Sequence, residues 1–168
     1  MKKIIICSIL MLLFLSGCTY NDSQKELEMQ ASTVFEALKT ENAELFKNVL
    51  SSNALNSEDI RTGIAYCFEL LGKKEFETEK LGCPEHVRYE YGKTKKWVDG
   101  AYTITDNDGT EYFLDFSYWI INDFDENYIG INTLKISEKS NDSSQQDTSS
   151  SNYNRFGIYN PEWDMKSE

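Results

Sequence analysis

The sequence predicts an α+β domain in which N-terminal helices pack on a curved antiparallel sheet. Three observations support this class: apolar residues recur at helical spacing before Gly72, they alternate with polar residues after it, and a strong turn signal divides the second part. Helices followed by a run of strands are typical of α+β layer folds, because the helical stripe must bury against one sheet face. The predicted domain spans residues 25–138, which is enough chain for a hydrophobic core.

Three helices are predicted in the first part of this domain. The first begins at Lys25, breaks near Thr40, and is followed by a short second helix that ends near Val49. The third begins at Ser57, whose hydroxyl can cap its first turn, and Gly72 ends it. The apolar face of the first helix is formed by Leu27, Ala31, Val34, Phe35 and Leu38.

The period of two after Gly72 predicts a meander of antiparallel strands. The sequence Asp-Asn-Asp-Gly at residues 106–109 is a strong hairpin turn, because glycine and asparagine accept positive φ at little cost. The strand after this turn carries Tyr112, Leu114 and Phe116 on one face and a mixed set on the other, so we expect the mixed face to be only partly covered. Strands are predicted at residues 75–81, 87–91, 97–105, 111–121 and 128–136.

The N-terminal segment has the features of an export signal. Lys2 and Lys3 precede an uncharged apolar run over residues 4–15, which is shorter than the roughly 20 residues of a membrane-spanning helix. The run Leu-Ser-Gly-Cys at residues 15–18 resembles the lipobox of bacterial lipoproteins. That resemblance implies cleavage after residue 17 and a diacylglyceryl group on Cys18. The alternative is an ordinary cleaved signal with an incidental cysteine.

A lipid on Cys18 would hold the protein on the extracytoplasmic face of the cell membrane, because two buried acyl chains give stable anchoring. Residues 18–24 are then predicted to be a polar tether. The whole chain has a net charge of −11. Removing residues 1–17 takes away 2 of the 17 basic residues and none of the 28 acidic ones, which leaves −13. This charge argues against electrostatic binding to nucleic acid and to anionic lipid.

Two cysteines, Cys67 and Cys83, remain in the predicted domain. An oxidising location outside the membrane would allow a disulfide between them, which would stabilise the fold by roughly 3 kcal/mol. The alternative is one buried thiol on a helix and one thiol in a turn. The two cysteines without a clustered histidine or cysteine pair make a poor zinc site, and we expect neither a metal nor a cofactor.

The C-terminal part changes composition twice. Residues 139–152 are rich in Ser, Asn, Gln and Asp and are predicted to be a disordered linker, since they offer little apolar surface to bury. Residues 153–168 form a tail that includes Phe156, Ile158, Tyr159 and Trp163. Three interpretations stay open for this tail: it docks on the domain, it is a recognition peptide, or it is a loose end.

Several short motifs carry a resemblance to a known family. They are the lipobox, Tyr102-Thr-Ile-Thr before the turn, Tyr112-Phe-Leu-Asp-Phe after it, and Asn127-Tyr-Ile-Gly-Ile. Together they resemble a family of small uncharacterised lipoproteins of Gram-positive gut bacteria, the domain of unknown function numbered 5104. That family resembles the cystatin-like, or nuclear-transport-factor-2-like, cone fold, in which a curved sheet wraps around helices and can leave a cavity. The resemblance implies a fold and an envelope location but no reaction, because this fold hosts enzymes and binding modules alike.

Catalytic motifs are not found in the sequence. The single histidine, His86, lies at a predicted strand start, where we expect it to be exposed to solvent. Asp115 alternates out of phase with the apolar face of its strand, so we expect it to point away from a cavity on the helix side, which counts against an enzyme. The acidic turns near residues 106–109 and 123–127 lack the full ligand spacing of a calcium loop.

The leading functional hypothesis is a non-catalytic, lipid-anchored envelope module that binds a small apolar ligand or a protein partner. The alternatives are an enzyme of isomerase or hydrolase type that uses the cavity, and a structural subunit of an envelope complex. Aromatic side chains supply large contact areas, although core packing is an alternative role for each of them. The candidate ligand-binding residues are Tyr89, Tyr91, Trp97, Phe113 and Trp119.

Overall fold

The computed structural model describes residues 22–139 and 155–160. The predicted signal segment, Cys18, and most of the predicted linker and tail lie outside these ranges. The described helices are α1 (Asp22–Thr40), α2 (Ala43–Lys47), α3 (Ser52–Leu55) and α4 (Ile60–Leu71). The strands are β1 (Phe76–Gly82), β2 (Glu85–Glu90), β3 (Lys93–Asp106), β4 (Glu111–Asn122), β5 (Gly130–Glu138) and β6 (Gly157–Ile158). Helices followed by a sheet confirm the α+β class.

The six strands form one sheet in the order β1-β3-β4-β5-β6, with β2 also paired to β3. β1 and β2 pair with successive lengths of β3, so together they make one interrupted edge. The interruption lies at Pro84, whose carbonyl accepts a hydrogen bond of 3.1 Å from the backbone N–H of Asp99. Proline has no N–H of its own and is therefore tolerated at such an edge.

The predicted antiparallel meander is confirmed for β1 to β5, and β6 is an additional strand that the sequence analysis did not predict. The pairs among β1 to β5 are antiparallel, but β6 pairs with β5 in parallel, with Leu134 opposite Ile158. β6 belongs to the C-terminal tail, and a long connection separates it from β5 in the sequence. Parallel pairing needs a connection of that kind, so a hairpin-based argument does not anticipate it.

One face of the sheet is buried under the helices, as the alternation in β4 predicted. Tyr112, Leu114 and Phe116 are almost fully buried, and the stripe of α1 that includes Leu27 and Leu38 is fully buried. Phe35 of α1 joins the two layers, because its ring meets the edge of Tyr102 at a centroid distance of 5.3 Å. The helix-facing side of β3 and β4 is therefore the centre of the core.

The helix ends differ from the prediction in two places. α1 begins at Asp22, so residues 22–24 of the predicted tether are helical. Lys25 and Asp22, which are three residues apart in the first turn, form an ion pair of 3.3 Å. Ser57 does not cap α4. Its hydroxyl instead donates to the carbonyl of Ala54 at 2.8 Å, and the N-cap position of α4 is Asp59.

The two domain cysteines are free thiols in the structure, which matches the second of the two alternatives. Cys67 lies on the core-facing side of α4 and is fully buried. Burial raises the pKa of the Cys67 thiol, because the charged thiolate would lose its hydration. Cys83 is only half-buried, between β1 and β2. A buried helical thiol of this kind acts as a small apolar core residue.

Residues 155–160 of the predicted tail pack on the domain. Ile158 is fully buried, and the backbone N–H of Tyr159 donates to the carbonyl of Leu134 at 2.8 Å. Arg155 pairs with Asp59 at the start of α4 at 3.0 Å. Gly63 of α4 leaves room for this segment, since a Cβ at Gly63 would lie 2.7 Å from the Cβ of Ile158.

We expect Gly63→Ala to destabilise the protein by about 1–3 kcal/mol, because the added methyl group overpacks the contact between α4 and β6. Urea unfolding followed by circular dichroism would measure the change. Gly82→Ala is the matched control, because a Cβ at Gly82 meets no atom within 4 Å. Equal stability of the two variants would show that the tail does not pack against α4.

Candidate ligand-binding cavity

A cavity of about 850 Å³ lies over the face of the sheet that carries Asp99 and Asp115. Its volume falls within the range of sites that hold small organic molecules. β3 and β4 form its floor, the break between β1 and β2 forms one rim, and the tail adds a wall through Phe156. The principal lining residues are His86, Trp97, Asp99, Phe113, Asp115, Ser117, Trp119, Tyr128 and Phe156.

The strand register places the polar floor residues side by side. Asp99 of β3 lies opposite Ser117 of β4, and the next pair with the same facing is Ala101 opposite Asp115. Asp99 and Asp115 are thus diagonal neighbours on adjacent strands, close enough for their charges to repel each other. This is the mixed face of β4, and its residues from Phe113 to Trp119 are partly buried, as the alternation predicted.

An aromatic row, defined as His86, Trp97, Trp119, Tyr128 and Phe156, crosses one end of the cavity. His86 stacks on Trp97 with ring centroids 4.9 Å apart, and Trp97 stacks on Trp119 at 5.0 Å. Tyr128 continues the row 5.0 Å from Trp119, and Phe156 of the tail meets Tyr128 at 5.1 Å in an edge contact. The row exists because β2, β3, β4, the 3-10 helix at Glu126–Tyr128 and the tail each contribute one ring.

The stacking decides which part of each ring a ligand can reach. His86 and Trp119 lie nearly parallel to Trp97, at interplanar angles of 14° and 13°. Both faces of the Trp97 indole are therefore covered by neighbouring rings, and its edge is what remains for the cavity. Ring edges carry the positive side of the aromatic quadrupole, so they suit apolar groups and oxygen atoms better than cations.

Asp115 is the carboxylate with the most perturbed environment in the cavity. Burial raises the pKa of Asp115 to about 6, Lys135 opposes the shift, and Asp99 adds to it. Lys135 is the residue directly opposite Asp115 on β5, and its ammonium lies 4.8 Å from the ring centre of Tyr159. A carboxyl group with this pKa changes charge close to neutral pH.

His86 and Asp99 form a second charged pair on the rim. The His86 Nε2 atom lies 2.9 Å from Oδ2 of Asp99, which makes an ion pair when the imidazole is protonated. The alignment is not that of a hydrogen bond, so Nε2 has no hydrogen-bond partner in the described part of the chain. The His86 side chain keeps 40% of its surface exposed, in line with the expected exposure, and its ring also stacks on Trp97 because the β2–β3 register places the two residues opposite each other.

The predicted site residues divide into two groups. Trp97, Phe113 and Trp119 line the cavity, whereas Tyr89 and Tyr91 lie at the tip of the β2–β3 hairpin and are 77% and 97% exposed. Tyr91 also has a φ of 52°, which places it in the turn rather than in the strand. None of the five has been shown to bind a ligand, so their binding role stays a prediction.

Sequence reasoning missed Asp99, Tyr128 and Phe156, and it expected a cavity on the helix side, from which Asp115 points away. The apolar face of β4 does meet the helices, but the cavity lies on the opposite face, so Asp115 points into it. The facing of Asp115 is as predicted, but the expected side of the cavity is wrong, so the facing no longer counts against an enzyme. One signal for the cavity was present in the sequence. Trp97 and Trp119 lie on predicted neighbouring strands, and a pairing between them would have indicated an aromatic surface on this face of the sheet.

The acidic turns use their carboxylates to close the turns. Asp106 accepts hydrogen bonds from the N–H groups of Asp108 and Thr110 at 3.0 and 2.9 Å, and Lys74 lies 3.1 Å away. Burial opposes ionisation of Asp106, but these hydrogen bonds outweigh it and lower its pKa. Asp123 likewise accepts from the N–H of Thr94 at 2.8 Å. In residues 22–139 and 155–160, no three His, Cys, Asp or Glu side chains cluster as a metal site would require.

Comparison with protein families places the chain in one family. Residues 33–155, which make up most of the chain, match the family described as Domain of unknown function (DUF5104). The chain belongs to that family. A search of the curated proteins found no match. No helix within the described ranges is long and apolar enough to cross a membrane.

We expect Asp115→Asn to stabilise the protein at about pH 7.5. The raised pKa means that folding favours the protonated carboxyl, so this group stabilises the fold below about pH 4 and loses that contribution as the pH rises through about 6. The full shift corresponds to roughly 3 kcal/mol, and partial solvent screening reduces the expected gain of the variant to about 1–2 kcal/mol. Urea unfolding of the variant and the unmodified protein at about pH 7.5 and about pH 4 would measure this difference in the free energy of unfolding.

The matched control for this measurement is Asp108→Asn, which removes an exposed carboxylate from the β3–β4 turn. The difference in the free energy of unfolding between Asp115→Asn and the unmodified protein should shrink as the pH falls towards 4, whereas Asp108→Asn should show no such trend. A variant at Asp115 that is no more stable than the unmodified protein at about pH 7.5 would contradict the assignment of a buried, unpaired carboxylate.

Proposed function

We propose that this protein is a lipid-anchored, non-catalytic binding module of the cell envelope that holds a small ligand in the cavity over β3 and β4. One observation carries the proposal: an aromatic row and a partly buried carboxylate share a single cavity of ligand size. Sites for small molecules combine apolar walls with few polar groups in this way. Tyr128 and Phe156 enclose the cavity further, beyond what the sheet alone provides.

The anchor and the location belong to the same proposal. They are supported by the lysines, the apolar run and the Leu-Ser-Gly-Cys motif of residues 1–18, which resemble a lipoprotein signal. The proposal also includes the cone-type fold. Interruptions of strand pairing at Lys80/Gly82, Lys96/Trp97 and Ser117/Tyr118 support curvature, because bulges bend a sheet.

A ligand screen by tryptophan fluorescence tests the binding function. The mature chain from residue 18, with Cys18→Ser for solubility and Trp163→Phe to remove the tail signal, retains Trp97 and Trp119 in the cavity. Ligands that raise the melting temperature should also change the emission of these two indoles. Trp119→Ala should weaken such ligands by about tenfold or more, because it opens the aromatic row.

Tyr91→Ala is the matched control for this screen, since Tyr91 is an aromatic residue outside the cavity. It should leave every affinity unchanged. Two outcomes would overturn the binding function. Either the ligands bind Trp119→Ala as tightly as the unmodified protein, or no compound in a broad library of apolar and amphipathic molecules binds.

An enzyme is the second candidate, and the perturbed carboxyl of Asp115 favours it. A carboxyl with a pKa near 6 can act as a general acid or base at neutral pH, and Tyr128 and His86 line the same cavity. Ligands found by the screen separate the two functions. An enzyme would convert them to product and lose that turnover in Asp115→Asn, whereas a binding module returns them unchanged.

We expect Cys18→Ser to abolish lipidation, because serine has no thiol to form the thioether. Metabolic labelling with a radioactive fatty acid, followed by immunoprecipitation, would measure it. Cys7→Ser is the matched control, since Cys7 lies inside the predicted signal and should leave labelling intact. Label retained in Cys18→Ser would show that the motif at residues 15–18 is not the anchor site.

A further inference from the structure

The charged groups of the cavity have one dominant sign. Among the described residues that line it, the carboxylates are Asp99 and Asp115, His86 is the one basic side chain, and no lysine or arginine takes part. Lys135, opposite Asp115, directs its ammonium to the ring of Tyr159 and is not part of the lining. A ligand with a carboxylate or phosphate would therefore meet repulsion here.

Asp115 has hydrogen-bonding capacity that the described part of the chain leaves unused. Neither a hydrogen bond nor an ion pair reaches its carboxylate from the described residues, although it is half-removed from water. The charged groups that act on it are Lys135 from β5 and Asp99 from β3. Because His86 lies against Asp99, the unpaired acceptor on the cavity floor is Asp115. A partly desolvated acceptor without a donor costs free energy that a ligand's N–H group would recover.

The aromatic row is poorly suited to hold a positive charge. Cations bind to ring faces, and both faces of Trp97 are covered within the row. The positive part of a ligand would therefore sit on the carboxylate, and its apolar part would lie against the ring edges. Along β4, Asp115 lies four residues from Trp119 and two from Phe113, which corresponds to roughly 13 Å and 7 Å of strand.

We propose that the cavity binds a small organic cation, a protonated amine joined to an apolar ring or chain, with the amine on the Asp115 carboxylate and the apolar part between Phe113 and the aromatic row. This inference rests on the proposed binding function and names its ligand class. The ammonium donates to the unpaired oxygens of Asp115, and the excess of acidic residues around the floor selects against anions of the same shape.

Three probes of the same shape test the charge preference: 4-phenylbutylamine, 4-phenyl-1-butanol and 4-phenylbutyrate. Titration calorimetry with the mature chain at about pH 7.5 should show the amine binding about tenfold or more tightly than the alcohol, because a hydrogen bond to a charged group is the stronger one. The carboxylate should bind weakest. At about pH 5 the amine should lose most of this advantage, since protonation of Asp115 removes its charge.

Variants connect the preference to one side chain. Asp115→Asn should bring the amine down to the affinity of the alcohol, while Asp115→Glu should keep a preference for the amine. Asp108→Asn removes the same charge from an exposed turn outside the cavity and should change none of the affinities. This control separates contact with Asp115 from the general attraction of an acidic protein for cations.

The outcomes separate the ligand class from the binding function. Equal or tighter binding of the alcohol or the carboxylate would overturn the cation assignment while supporting a small-ligand cavity. An amine preference that survives in Asp115→Asn would also overturn it. If none of the probes binds at millimolar concentration, the cation assignment fails, and the broad fluorescence screen then decides whether the binding function fails with it.

Discussion

The burial of one face of β3 and β4 under α1 is the constraint on which the rest of the structure depends. Tyr102, Leu114 and Phe116 fill that face, and the stripe of Leu27, Val34 and Leu38 covers it. Because strand side chains alternate strictly, burying this set forces Asp99, Asp115 and Trp119 to the other face. The cavity is thus a direct consequence of the core: the residues that line its floor are those that the helices do not cover.

The faces and the central turn were predictable, because alternation and turn chemistry are local properties of the sequence. Tyr112, Leu114 and Phe116 are buried as predicted, and Asp106 closes the predicted turn with its own carboxylate. The side on which the cavity lies was not predictable in this way, since it depends on the elements that build its walls. Phe156 reaches the cavity from beyond a connection of low-complexity sequence, and no local pattern relates it to Tyr128.

The tail is part of both the core and the cavity. Ile158 fills space against Gly63, and two residues earlier Phe156 faces the cavity and ends the aromatic row. Phe156 precedes the two-residue strand β6, so strand alternation does not fix its facing, and the tail joins an interior contact to a wall of the site. Any change in the packing of β6 must therefore move a ring of the cavity, and a ligand that contacts Phe156 must in turn stabilise the docked tail.

The cavity keeps features that a fold selected for stability alone would remove. An asparagine or serine in place of Asp115 would avoid the cost of a partly desolvated carboxylate, and the remaining pairs of β4 with β3 and β5 would be unaffected. Lys135 on β5 offsets part of this cost, whereas the neighbouring Asp99 adds repulsion instead of a hydrogen bond. Uncompensated costs of this kind concentrate at functional sites, where a ligand supplies the missing partner. The physical reason to look for function at Asp115 is therefore that the described part of the chain gives this carboxylate neither a hydrogen bond nor a close ion pair.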